Sequence, residues 1–153
     1  MKENLEIKPL IGFGEIKFGA DMEAVKAVLG EPDEAEGLEN EEDESDAIVW
    51  NYWNDGYSVF FDEGYDNLCT CFETDNENAV LFGKKVFGLK ENQIIDLMKA
   101  HNIVDVETED EAWGERRLTF NDAIMDFYFD KDQLVSVSWG VMTDDDDNVE
   151  WPK

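Results

Sequence analysis

The chain has 153 residues, of which 39 are Asp or Glu and 12 are Lys or Arg, and its formal net charge at pH 7 is -27. Such a negative field repels the phosphates of nucleic acids and of anionic membrane surfaces, so neither is an expected partner. This length is typical of one domain, and a hydrophobic content of 42% argues against intrinsic disorder. We therefore expect a single folded, acidic domain over residues 1–153.

The start of the chain carries no basic segment followed by an apolar one, which predicts no secretory signal and a cytoplasmic location. No apolar run approaches the roughly 20 residues that cross a bilayer as a helix. Cys69 and Cys71 are two positions apart, so in a strand they would share one face, and we interpret them as small buried apolar residues. Neither a metal nor a cofactor is predicted.

Two helices are predicted from apolar residues at helical spacing. The first starts after Asp21, a residue type that caps helices, and Gly30 followed by Pro32 ends it. The second runs from Lys90 to about His101. His101 is the only histidine, and we interpret it as a structural residue whose position suits the negative end of the helix dipole.

Two acidic runs stand out. Residues 31–46 contain ten acids and no base, and this segment is predicted to be an acidic loop after the first helix. Residues 143–153 are predicted to be an acidic tail. The four aspartates at 144–147 lack the ligand spacing of a calcium-binding EF-hand loop, so a solvated tail is favoured over a cation site. Trp151 is expected to dock on the domain or on a partner.

After each predicted helix the apolar period changes to two, which indicates strands with one face on a core. The pair Asp55-Gly56 predicts a tight hairpin between two of them. Short extra strands are predicted near residues 5–7, 79–82 and 104–107.

The helix and strand patterns occur twice, over about residues 13–73 and 84–140. Val59-Phe60-Phe61-Asp62, for example, recurs about 68 residues later as Phe127-Tyr128-Phe129-Asp130. The predicted fold class is therefore α+β, with two similar halves that each hold a helix followed by an antiparallel β-meander. The helices would pack on one face of the sheet.

This pattern resembles the tandem-repeat architecture of the β-lactamase inhibitor protein family and the single-copy version in the SmpA/OmlA (BamE-like) lipoproteins. The residues similar to those families' opening helix and its Gly-x-Pro stop are Phe18-Gly19-Ala20-Asp21-Met22-Glu23-Ala24-Val25 and Leu29-Gly30-Glu31-Pro32-Asp33. The resemblance implies a fold that binds other proteins and carries out no reaction.

The alternation predicts which side chains point away from the core. Inward residues would include Val59, Phe61, Cys69 and Cys71. The outward face would carry the proposed partner-binding residues, which are Trp53, Phe60, Phe72, Asp126 and Tyr128. Aromatic anchors among small polar residues are typical of protein-binding surfaces. The alternative is that another segment of the chain covers that face.

No nucleophile elbow, phosphate loop or zinc-protease spacing occurs, so no catalytic residue is predicted. Arg116 and Arg117 are a basic pair beside Trp113 that could grip a carboxylate, although pairing with the chain's own acids is favoured.

The leading hypothesis is a non-enzymatic protein of inhibitor or immunity type that attracts a basic protein, such as a toxin or an enzyme, through its acidic surface. A second hypothesis is a small-ligand-binding protein or hydrolase with an acidic pocket between the halves. A third is a homodimeric structural module. The sequence does not decide between a monomer and a homodimer, and the acidity could serve solubility alone.

Overall fold

The computed structural model of the protein describes residues 5–38, 47–111, 114–142, 149 and 151. Within these residues the chain forms two α-helices and thirteen β-strands. The helices are α1 (Met22–Leu29) and α2 (Glu91–Ala100). The strands are β1 (Glu6–Lys8), β2 (Gly12–Phe13), β3 (Ile16–Lys17), β4 (Glu34–Leu38), β5 (Ala47–Tyr52), β6 (Tyr57–Asp62), β7 (Leu68–Thr74), β8 (Val80–Leu81), β9 (Lys84–Lys85), β10 (Val106–Asp110), β11 (Arg116–Phe120), β12 (Met125–Asp130) and β13 (Gln133–Gly140). Single 3₁₀ turns lie at Glu63–Tyr65 and Val86–Gly88.

The strands belong to two sheets. The short strands form a five-stranded sheet in the order β3-β2-β1-β8-β9, and the longer ones form an eight-stranded sheet in the order β10-β11-β12-β13-β7-β6-β5-β4. All neighbours are antiparallel except β1 and β8, which run parallel with Glu6 opposite Val80.

The predicted α+β fold of two helix-plus-meander halves is wrong, and so is the BamE-like architecture that the resemblance implied. The structure is mostly sheet, and its helices have only 8 and 10 residues. The physical reason lies in two pairings that cross the expected halves. β7 and β13 pair with Phe72 opposite Trp139, which makes one continuous sheet of eight strands. The β1–β8 pairing builds a second sheet from segments that are far apart in the chain.

Both predicted helices are confirmed. The Asp21 side chain accepts a hydrogen bond of 2.8 Å from the backbone N–H of Ala24, which is the expected N-cap. Gly30 ends α1 with a φ of 83°, a left-handed conformation that suits glycine. At the start of α2 the Gln93 side chain accepts a hydrogen bond of 2.9 Å from the Lys90 N–H. The extra strands predicted near 5–7, 79–82 and 104–107 correspond to β1, β8 and β10.

Part of the predicted acidic loop is a strand. Residues 34–38 form β4, which pairs antiparallel with β5 and places Glu34 opposite Asn51. The pairing supplies backbone hydrogen bonds that composition alone did not reveal. The remainder of that segment, residues 39–46, lies outside the described residues, as does most of the predicted acidic tail.

The core lies between the two sheets and under both helices. Phe13 of β2 is fully buried, and its ring centroid lies 5.4 Å from that of Tyr57, 5.7 Å from Phe72 and 5.2 Å from Trp139. Such aromatic contacts contribute stability beyond the apolar area that they bury. The five-stranded sheet is therefore held to the eight-stranded one through aromatic rings.

A β-bulge in β7 reverses the predicted orientation of its last residues. Phe61 pairs with Cys69 and Phe60 pairs with Cys71, which leaves Thr70 as the extra residue. Phe72 therefore points into the core and is fully buried, which corrects its predicted place on the outward face. Cys71 lies on the opposite face from Cys69, which corrects the prediction that the two thiols share one face.

Neither helix in the described ranges has the length and apolar character that a bilayer crossing requires.

Candidate functional site

One line of cross-strand neighbours crosses the whole eight-stranded sheet on the face turned away from the core. Its members are polar in every strand, and we call them the polar row: Glu34, Asn51, Ser58, Glu73, Ser138, Asp126, Thr119 and Glu107. Inward residues such as Phe72 and Trp139 alternate with this row along their strands, which fixes its outward orientation. Four of the eight side chains are carboxylates and none is basic, so the row itself is acidic.

Two short side-chain hydrogen bonds lie within the polar row. The Ser58 hydroxyl donates to Oδ1 of Asn51 at 2.6 Å, and the Thr119 hydroxyl donates to Oδ1 of Asp126 at 2.6 Å. Cross-strand pairs of this kind hold their side chains in fixed positions. Asp126 is thus a carboxylate with a fixed orientation, and it is half-buried, as is Tyr128.

The face is not equally open along its length. Near β5 it is closed, since Asn51 is only 5% exposed and Val49 is buried as well. Phe60 on β6 is half-buried and pairs with Cys71. The more open part lies beyond Ser58, near Trp53, the last residues of β7 and Ser136 of β13.

A shallow depression of about 120 Å³ lies in that open part. Its side-chain lining includes Trp53, Ser58, Glu73, Asp75 and Ser136. Trp53 follows β5 and keeps 62% of its surface exposed, which is a high value for so large an apolar side chain. The depression thus combines an exposed aromatic ring with two carboxylates.

The carboxyl group of Glu73 has a raised pKa. Burial of its carboxyl group, reinforced by the negative charge of Asp75, raises the pKa of Glu73 above its ordinary value. The residue as a whole is still exposed, so solvent limits the effect. A cation placed in the depression would stabilise the ionised form of Glu73.

Tyr128 adjoins the depression through Ser136, its partner in the β12–β13 pairing. Burial raises the pKa of the Tyr128 phenol, and the charge of Asp126 acts in the same direction, whereas Arg117 opposes them. Arg117 lies directly across from Tyr128 on β11. The phenol is therefore neutral at physiological pH, and it already interacts with the Arg117 side chain.

The two arginines pair with acids of this chain, as the sequence favoured. Arg116 contacts Glu91 at 3.0 Å and Asp110 at 3.4 Å. Arg117 contacts Glu109 and also Glu111, the latter at 3.4 Å. Trp113, predicted to lie beside them, falls outside the described residues. The acids paired with these arginines are not those of the depression.

The thiols are poor nucleophiles. Burial raises the pKa of Cys71 to about 12, with Glu73 and Asp126 contributing in the same direction. Burial also raises the pKa of Cys69. Since the thiolate is the reactive form, neither cysteine offers a nucleophile at neutral pH.

In the part of the chain that the structure describes, no group of three or more His, Cys, Asp or Glu side chains could hold a metal ion. The aspartates at 144–147 are not among the described residues. Trp151 packs against the domain, with its ring centroid 6.3 Å from that of Tyr65. Of the two predicted possibilities, docking on the domain or on a partner, the contact confirms docking on the domain.

Four of the five predicted partner-binding residues lie on the outward face, namely Trp53, Phe60, Asp126 and Tyr128. Glu73 was missed because a strict period of two from Cys69 and Cys71 places it on the inner face. Only the bulge at Thr70 shifts it outward.

No family model matches the chain, and the search of curated proteins found no match. One similar solved structure is an extracellular protein containing an SCP domain from Bacillus anthracis str. Ames, with 16% sequence identity and a TM-score of 0.48. The match covers 89% of this chain and 49% of the other, so this chain spans about half the length of that protein.

That neighbour is neither a β-lactamase inhibitor protein nor a BamE-like lipoprotein, so the resemblance stated from the sequence receives no support from it. It is described as extracellular and so lends no support to the cytoplasmic location predicted above, which is withdrawn. A likeness this distant carries no argument about the location or the activity of this chain.

Proposed function

We propose that this chain is a non-enzymatic protein-binding module that recognises a basic protein through the outward face of the eight-stranded sheet. The observation that carries the proposal is the depression, where Trp53, exposed to 62%, lies beside the carboxylates of Glu73 and Asp75. An exposed tryptophan among fixed polar groups has the character of an interface hot spot.

The negative charge of the outward face favours a basic partner. The polar row carries Glu34, Glu73, Asp126 and Glu107, and the whole chain has a net charge of -27. Complementary charge raises the rate at which a basic partner is captured and disfavours acidic ones. A lysine or arginine of the partner could lie against the Trp53 ring and meet Glu73 in the same contact.

The proposal is tested by affinity capture from the cells that produce the protein, at low and then at moderate salt. We expect one basic protein to be retained at both salt concentrations. The double variant Trp53→Ala and Tyr128→Ala should lose it, because hot-spot truncations cost about 2 kcal/mol or more each, or roughly 30-fold in affinity. Circular dichroism establishes that the variant is folded.

Matched controls separate a specific site from general acidity. Trp151→Ala removes another exposed tryptophan, one that packs on Tyr65, and should leave capture unchanged. Glu73→Gln should weaken capture more than Glu77→Gln, although each removes one charge. Equal retention by the folded double variant would exclude this face. Loss of all bound proteins at moderate salt would mean that the acidity serves solubility alone.

A further inference from the structure

A second concavity, a groove of about 830 Å³, lies at the five-stranded sheet. It is bordered by the β1–β2 turn, the β8–β9 turn, the end of α2 and the β11–β12 turn. None of its lining residues belongs to the polar row. Its volume falls within the range of about 300 to 1,000 Å³ that is typical of sites for small organic ligands.

The groove is lined mainly by apolar side chains. The ones on which the argument depends are Ile7, Leu10, Ile11, Phe82 and Ile103. Ile11 is 44% exposed, although large aliphatic residues are usually withdrawn from water. An aliphatic surface of this kind binds the hydrocarbon part of a ligand.

Two of these residues hold a strained backbone. Leu10 has a φ of 63° and Phe82 a φ of 52°, in the left-handed region that bulky residues rarely adopt. Strain of this sort costs on the order of 1 to 3 kcal/mol per residue and is concentrated at functional sites. Here it occurs in two of the turns that line the groove, the β1–β2 turn and the β8–β9 turn.

The charge of the groove differs from that of the rest of the chain. Lys8 and Lys17 balance Glu6 and Asp122, and His101 stacks on Phe82 with ring centroids 3.7 Å apart. Among the described residues, Lys8 has no ion-pair partner. An anionic group therefore meets far less repulsion here than the net charge of -27 would impose on average.

We propose that the groove binds a small amphipathic carboxylate, a molecule with an aliphatic body and one terminal carboxylate group. The aliphatic body lies along Leu10, Ile11 and Ile103, and the carboxylate is recognised by Lys8 and His101. This site is separate from the proposed protein-binding face and does not depend on it.

The test is a titration of isotope-labelled protein with decanoate, below its micellar concentration, followed by amide chemical shifts. Decanol and decyltrimethylammonium, which have the same chain length, are titrated in parallel. We expect saturable shifts at Ile11, Ile103 and Ala123, with decanoate binding more tightly than either analogue. Adsorption driven by net charge would instead favour the cationic analogue.

Matched variants test the named residues. Ile11→Glu should weaken decanoate binding by more than tenfold, whereas Val104→Glu, at another exposed apolar residue that does not line the groove, should leave it unchanged. Lys8→Gln should weaken binding by about two- to fivefold, as expected for a partly exposed ion pair. Lys84→Gln is the control for lost charge.

Several results would overturn the proposal: no saturable shift at millimolar decanoate, shifts centred away from the groove, or equal binding of decyltrimethylammonium at the same amides. Groove amides whose shifts change with protein concentration in the absence of ligand would also overturn it, because a second copy of the chain would then cover the site.

Discussion

The indole Nε1 of Trp139 donates a buried hydrogen bond of 2.9 Å to the backbone carbonyl oxygen of Gly12, 127 residues earlier in the chain. Trp139 belongs to β13 in the eight-stranded sheet, and Gly12 begins β2 in the five-stranded sheet. The same indole ring contacts Phe13 and Phe72. One side chain thus joins the two sheets by a polar and an apolar contact at once.

We expect Trp139→Phe to lower the free energy of unfolding by about 2 to 4 kcal/mol. The change leaves the Gly12 carbonyl without its buried donor and opens a cavity in the core. Urea denaturation measures the effect. Trp53→Phe, at an exposed position, is the control and should stay within about 0.5 kcal/mol of the original protein. A similarly small effect at Trp139 would contradict this account of how the sheets are joined.

Gly12 itself should tolerate no side chain. An added Cβ would collide with the carbonyl oxygen of Ile16 and lie 2.8 Å from the Cα of Lys17, and both are backbone atoms. We therefore expect Gly12→Ala to destabilise the protein by about 3 kcal/mol or more. Gly37→Ala in β4 is the matched control, since no atom lies within 4 Å of its added Cβ. Equal stability of the two variants would disprove the close approach of β2 and β3.

Tyr52 and Tyr57 lie side by side, with ring centroids 5.3 Å apart, but their hydroxyl groups differ. The Tyr52 hydroxyl donates a hydrogen bond of 3.0 Å to the Gly30 carbonyl at the end of α1. The buried Tyr57 hydroxyl has no partner among the described residues. In urea denaturation, Tyr52→Phe should cost about 1 kcal/mol, whereas Tyr57→Phe should be neutral or stabilising. The opposite order would show that Tyr57 has a partner after all.

The same two phenols predict a loss of stability at alkaline pH. Burial raises the pKa of Tyr57 from 10 to about 12, and it raises the pKa of Tyr52 as well. The contribution of these protonated phenols to the free energy of unfolding is complete below pH 10 and declines toward pH 12. The reason is that the unfolded chain releases these protons at a lower pH than the folded chain does. Urea denaturation at increasing pH measures the decline, and ultraviolet titration of tyrosinate locates the pKa values. A variant with Phe at both positions should show a smaller decline, and an unchanged slope would contradict the assignment.

The sequence predicted local structure well because local signals determine it. Asp21 and Gly30 mark the two ends of α1 through hydrogen bonding and backbone conformation, and both lie within that short segment. The sequence could not predict the pairing of β7 with β13. In that pairing Phe72 lies opposite Trp139. The alternation of apolar and polar residues in a strand does not indicate which other strand pairs with it.

The candidate site was predicted only in part, for a related reason. Trp53 and Tyr128 were found because the alternation in β5 and β12 is regular up to those residues. Glu73 was missed and Phe72 was misplaced because one extra residue, Thr70, exchanges the two faces of β7. The composition of β7 does not indicate where this extra residue lies.

The parallel pairing of β1 with β8 also bears on the order of events in folding. Glu6 and Ile7 leave the ribosome long before Val80 and Leu81, which are their partners. β1, the middle strand of the five-stranded sheet, therefore keeps one side unpaired until more than half of the chain has been synthesised. Contacts between segments so distant in the chain slow folding, since the entropy of closing a long loop is lost before the contact stabilises anything. Until then the nascent protein exposes one unpaired edge of β1, and an exposed strand edge of this kind can pair with another chain.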